Sequence, residues 1–176
     1  MRGSKLLASE ISEHDKGPDT PLEDFLAYGL QRWNARPSKD PTKADAFGEL
    51  KQRVLAAVQD EKLRATYTSA IEELEICVLS AQDDTYPRDI IEAMMWLWAV
   101  SDDLIPLLKV PSQEAVAIFA HFCILLKQYE DQWWLRGWSE YLISRSYGIL
   151  DDEHRSWIEW PMREMGYDAS TLMSPN

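Results

Sequence analysis

A chain of 176 residues, 45% of them hydrophobic and eight of them Trp, is long enough to bury one core and too apolar to be disordered throughout. Seven glycines are too few for an all-β design with its many tight turns. The formal charge of −12 is uneven: residues 1–60 carry 10 acids and 9 bases, residues 61–176 carry 20 acids and 9 bases. No cluster of Lys and Arg is present to displace counterions from phosphates, so direct nucleic-acid binding by this chain is not expected.

The two cysteines, Cys77 and Cys123, sit inside apolar helical runs. A disulfide scaffold or zinc module needs more cysteines at suitable spacing, so two buried thiols in a reducing compartment are expected, with no metal and no cofactor. Residues 1–16 lack the continuous apolar stretch of a signal peptide, and Met1-Arg-Gly-Ser4 has the form of an expression leader, left out of the fold argument. Apart from one His, the longest apolar run is residues 115–126. Its twelve residues fall short of the ~20 that cross a bilayer. A cytoplasmic or nuclear location without a membrane span follows as the expectation.

In chain order, residues 1–20 are polar and are expected to form a mobile arm. A helical domain over 21–170 and a short tail at 171–176 follow. Pro21 suits the first turn of a helix that carries Leu22, Phe25, Leu26, Leu30 and Trp33 on one face, with Pro37 and Pro41 bracketing the next loop. Thr42 is a candidate N-cap for a second helix with Phe47, Leu50, Val54, Leu55 and Val58. A third is predicted over 61–81, with Leu63, Tyr67, Ala70, Ile71, Leu74 and Cys77 along one stripe.

After Tyr86-Pro87 the character changes. Residues 90–100 are apolar on nearly every face, the pattern of a helix buried all round, and Asp102-Asp103, Pro106 and Pro111 punctuate its exit. Ser112 is placed to cap a helix with Glu114 in its first turn, and that helix holds the apolar run 115–126. A sixth helix is predicted over 132–150, containing Trp133, Trp134 and Trp138, with Gly137 inside it to admit a neighbouring backbone. Asp151 suits the cap of a seventh, broken at Trp160-Pro161, with a last turn that stops at Gly166. The fold class is therefore all-α: a single bundle-like domain of about seven helices with two fully buried central helices, 90–100 and 115–126.

The segment from Trp96 onward resembles a known family. Ala115-Val-Ala-Ile-Phe-Ala-His121-Phe-Cys-Ile-Leu-Leu126, Trp133-Trp-Leu-Arg-Gly-Trp138, and Leu150-Asp-Asp-Glu-His-Arg155 followed by Trp157-Ile-Glu-Trp-Pro-Met162 and Gly166 are similar to the C-terminal regulatory domain of fungal binuclear zinc-cluster transcription factors of the sterol uptake control type. The likeness covers residues 96–166. The family's six-cysteine DNA-binding cluster has no counterpart in this chain, and the family's domain is usually longer, which implies a fragment, a truncated relative or a descendant put to other use.

The resemblance implies an apolar pocket that senses a sterol-like molecule and couples occupancy to transcriptional regulation. Its lining is expected from Met95, Trp96 and Trp98 on one helix and from Phe119, His121 and Phe122 on the next. Trp133, Trp134, Gly137, Trp138 and Tyr141 would complete it. Trp133 and Trp134 differ by 100° in direction on a helix, so core packing and pocket lining are both open for these tryptophans.

His121 is either a satisfied core residue or the anchor of a ligand hydroxyl. An alternative is a small cyclase or isomerase of fungal secondary metabolism, with His121 as acid/base and Asp102 or Asp103 as proton partner. No phosphate loop, nucleophile elbow or kinase signature supports catalysis. A third alternative is a dimerisation module without ligand, and a homodimer is the expected assembly.

Overall fold

The computed structural model describes Ala27, Tyr28, Gln31 and residues 46–82 and 89–168. The expected arm, the tail, the Thr42 cap, and the loops at Pro37, Pro41 and Tyr86-Pro87 lie outside the described residues. Of the first expected helix, Ala27, Tyr28 and Gln31 are described, and all three are helical.

The described chain is all-helical, as its patterning requires. Helix α1 (Ala46–Ala57) and helix α2 (Glu61–Ala81) pack on each other across a three-residue link. Asp60 ends that link with an extended backbone, and its carboxylate accepts the Leu63 N–H at 2.8 Å. Lys51 pairs with Glu72 across the two helices. The buried stripe of α2 is the predicted one, with Tyr67, Ala70, Ile71, Leu74 and Cys77 all inside.

Helix α3 (Ile91–Ala99) lies on α2, and a short α4 (Ile105–Lys109) leads to α5 (Gln113–Lys127). Ser112 caps α5 by accepting the Ala115 N–H at 3.2 Å. The same hydroxyl meets the Tyr67 hydroxyl at 2.8 Å, so one side chain caps α5 and ties it to α2. Burial raises the Tyr67 phenol above its ordinary value, and the hydroxyl pair stays neutral.

Helix α5 is the centre of the domain. Eleven of its fifteen residues are buried, and α2, α3, α4, α6, α7 and α8 all contact it. Helix α3 is covered on one face only: Trp96 is fully inside, whereas Met94 and Trp98 are 43% and 47% exposed. Cys77 and Cys123 are both buried, and burial pushes the Cys123 thiol up to about 12.

Two departures follow α5. The sixth helix does not begin near 132. Residues 131–137 form a run of tight turns, with the N–H groups of Gln132, Leu135 and Trp138 each bonded to the carbonyl three residues back, and α6 spans Trp138–Ile149. Leu135 is buried at 5% exposure and anchors this loop, and Gly137, at φ 80°, turns the chain into α6. Gly137 is therefore a left-handed hinge rather than a close-approach position, because a Cβ there would meet nothing within 4 Å.

The second departure concerns Pro161. Asp151 caps α7 (Asp152–Arg155) through the His154 N–H, and a 3₁₀ turn (Ser156–Ile158) leads into α8 (Glu159–Glu164). Pro161 stands in the first turn of α8, where its missing N–H would have had no intrahelical partner, so it continues the helical path instead of breaking it. Gly166, at φ 80°, closes α8 as expected, with the Tyr167 N–H on the Met162 carbonyl at 2.8 Å. Among the described residues no helix is long and apolar enough to cross a membrane.

Candidate functional site

The residues expected to line one pocket separate into three groups. Trp96, Phe122 and Met95 belong to the core. Trp96 is fully buried, donates its indole N–H to the Ala70 carbonyl at 2.9 Å, and stacks on Phe122 with ring centroids 4.6 Å apart. Phe119 is half-buried against Phe122. These rings join α2, α3 and α5, and core packing accounts for them.

The second group is on the surface. Trp133 is 82% exposed, Trp134 45%, Trp138 53% and Tyr141 64%, so four large aromatic side chains face solvent within nine residues. Trp138, Tyr141, Arg145 and Ile149 fall on one outer stripe of α6, opposite buried Ser139, Ile143 and Ser146. The loop beneath them is firmly held. Gly137 offers no side-chain cap, and Glu130 takes over that role. Its Oε1 accepts the Ser139 N–H at 3.1 Å and the Ser139 hydroxyl at 2.6 Å, while Oε2 receives Lys127 at 2.8 Å. Burial works to raise the Glu130 carboxyl, but the Lys127 and Ser139 donors together hold it below its ordinary value. Lys127 also donates to the Tyr167 hydroxyl at 3.1 Å and covers its ring, fixing the chain after α8 to the same corner. This display was not predicted. The missed signal is Asp131 and Gly137 flanking the tryptophans, a pair that favours turns over helix.

His121 stands in a third place. It is 1% exposed, and its ring lies between Phe47 of α1 (6.0 Å) and Trp160 of α8 (5.7 Å, near-parallel). Nδ1 lies 2.8 Å from the Ala117 carbonyl, which can only accept, so Nδ1 carries the proton and Nε2 is left as an acceptor. Burial pulls the imidazole down to about 4, with the nearby Arg53 adding to that and the Ala117 carbonyl and Glu49 opposing it, and the ring is neutral at pH 7.

His121, Leu50 and Trp157 form the inner wall of a cavity of about 80 Å³. Glu49 and Arg53 of α1 and Glu159 and Arg163 of α8 line its more exposed part. Arg53 donates to Glu49 at 2.6 Å and to the Ser156 hydroxyl at 3.0 Å, which closes one side. None of the other expected pocket residues lines this cavity.

Asp102 and Asp103 are exposed in the turn after α3 and are not among the cavity's polar groups. The structure therefore does not join them to His121, whose one bonded nitrogen is on backbone. His154 bonds its own cap, Asp151, at 2.7 Å. Compared with models of known protein families, with curated proteins and with solved structures, the chain has no match.

Proposed function

We propose that this chain is a non-enzymatic, ligand-sensing regulatory domain of the kind its sequence resembles, and that an apolar, sterol-like molecule is received on the aromatic face formed by residues 133–141. One observation carries the reading: Trp133 and Trp134 on the turn and Trp138 and Tyr141 at the start of α6 are exposed together, on a corner that Glu130, Ser139 and Lys127 hold in place. Exposed large aromatics in such density mark binding surfaces, and a rigid support lowers the ordering cost of binding. A flat hydrocarbon ring system suits an aromatic shelf better than the polar cavity at His121, which is too small for it. The separation of His121 from Asp102 and Asp103 weighs against the cyclase or isomerase alternative.

The test is titration of the full chain with ergosterol in detergent below its critical concentration, read by tryptophan emission. Saturable quenching is expected, reduced at least tenfold in affinity by Trp133→Ala together with Trp138→Ala. Absence of saturation, or equal affinity in the double variant, would overturn the reading.

A second reading has its own observation. Trp138, Tyr141, Arg145 and Ile149 recur at the three- and four-residue spacing by which helices pack. The stripe fits α6 of a second copy, and a lipid-independent dimer in analytical ultracentrifugation would favour it.

A further inference from the structure

The cavity at His121 is built from parts that the aromatic face does not use. The bond from His121 Nδ1 to the Ala117 carbonyl leaves Nε2 as an acceptor, and the ring, itself 1% exposed, lines the cavity. A nitrogen acceptor that opens onto a polar cavity favours an occupant that brings a donor. In its more exposed part, Glu159 and Arg163 stand at the i,i+4 spacing at which a carboxylate and a guanidinium commonly pair on a helix, yet they form no ion pair with each other and both line the cavity. Arg53 spends two of its donors on Glu49 and Ser156 and keeps the rest.

Charge selects the occupant. Two guanidinium groups and two carboxylates surround the cavity, so an anion meets Glu49 and Glu159 and a cation meets Arg53 and Arg163. A molecule carrying both signs satisfies all four. A volume of about 80 Å³ gives room for roughly five to eight water-sized groups, and the smallest α-amino acids have five or six heavy atoms. Trp157, Trp160 and Leu50 supply apolar walls that exclude longer polar side chains.

We infer that this cavity is a binding site for a small zwitterionic amino acid such as glycine or alanine. Its ammonium group donates to His121 Nε2 and to Glu159, and its carboxylate accepts from Arg163 and from the remaining Arg53 donors. The site is independent of the aromatic face, and its failure leaves the function proposed above untouched.

The experiment follows the His121 ring nitrogens by NMR in the full chain at pH 7 during titration with glycine, L-alanine, acetate and methylamine. The two amino acids are expected to shift Nε2 and saturate, whereas acetate and methylamine, each lacking one of the two groups, bind at least tenfold more weakly. Arg163→Gln and Glu159→Gln, both exposed and outside the core, are expected to leave the unliganded Nε2 position unchanged and to weaken the amino acids by at least tenfold. An Nε2 resonance unmoved by glycine overturns the inference. So does equal binding of acetate alone, or saturation that survives Arg163→Gln.

Discussion

Replacing His121 by Phe makes a sharp test of how α5 is buried, because it removes one imidazole's share of the domain's acid sensitivity. Burial pulls His121 from 6.5 to about 4 in the folded protein, while the unfolded chain keeps the ordinary value. Between those two values the unfolded chain binds a proton that the folded chain refuses, so acid favours unfolding. The effect is absent above about pH 7 and grows as pH falls toward 4. A shift of this size corresponds to about 3 kcal/mol of stability lost by pH 4 and about 2 kcal/mol by pH 5. His121→Phe keeps an aromatic ring between Phe47 and Trp160 and removes the titration. Glu130 and Asp151, whose carboxyls are held low, also lose their stabilising effect in acid, but they do so in both proteins and cancel in the difference. Urea unfolding followed by circular dichroism at pH 7, 6 and 5 is the assay. The wild type is expected to lose about 2 kcal/mol more than His121→Phe between pH 7 and pH 5. Parallel losses, within about 0.5 kcal/mol, would refute the neutral, buried imidazole and the geometry built on it.

Three further outcomes are expected. Gly137→Ala destabilises by about 1 kcal/mol in chemical denaturation although the space around it is open, because the cost is the positive φ and not a clash. Trp96→Ala costs about 3–5 kcal/mol through loss of the stack on Phe122 and of volume at the α2–α3–α5 junction, whereas Trp96→Phe costs about 1–2 kcal/mol for the lost bond to Ala70; denaturation midpoints that do not separate the two would count against the junction. Ser112→Ala removes both the α5 cap and the partner of the Tyr67 hydroxyl, for about 1–2 kcal/mol, and Tyr67→Phe on top of it is expected to add less than it does alone in a double-mutant cycle.

Where local chemistry decided the outcome, the sequence was sufficient. The bounds of α2 follow from one stripe, and Ser112 and Asp151 cap the helices they were expected to cap. Gly166 ends α8 for the reason a glycine usually does. Tertiary demands overrode local pattern at the tryptophans. Residues 132–136 carry no helix breaker of their own, but the turn-favouring Asp131 and Gly137 at their ends and the burial of Leu135 give turns, which put Trp133 and Trp134 outside. Pro161 was misjudged because only the observed register places it in a first turn. His121 was singled out from its apolar neighbours alone. Its surroundings were beyond reach, since Phe47, Arg53 and Trp160 come to it from distant parts of the chain.

That distance has a kinetic meaning. The Arg53–Ser156 bond spans 103 residues, whereas α1 with α2 and α5 with α6 pair as neighbours along the chain. Local helical pairs form early, and contacts that close the longest loops form late and reopen at the least cost. The wall joining α1 to the turn before α8 is accordingly the seam of the domain. Amide protons near Phe47, Ser156 and Trp160 should exchange with solvent sooner than those of α5, and an occupant bridging the two sides would slow them.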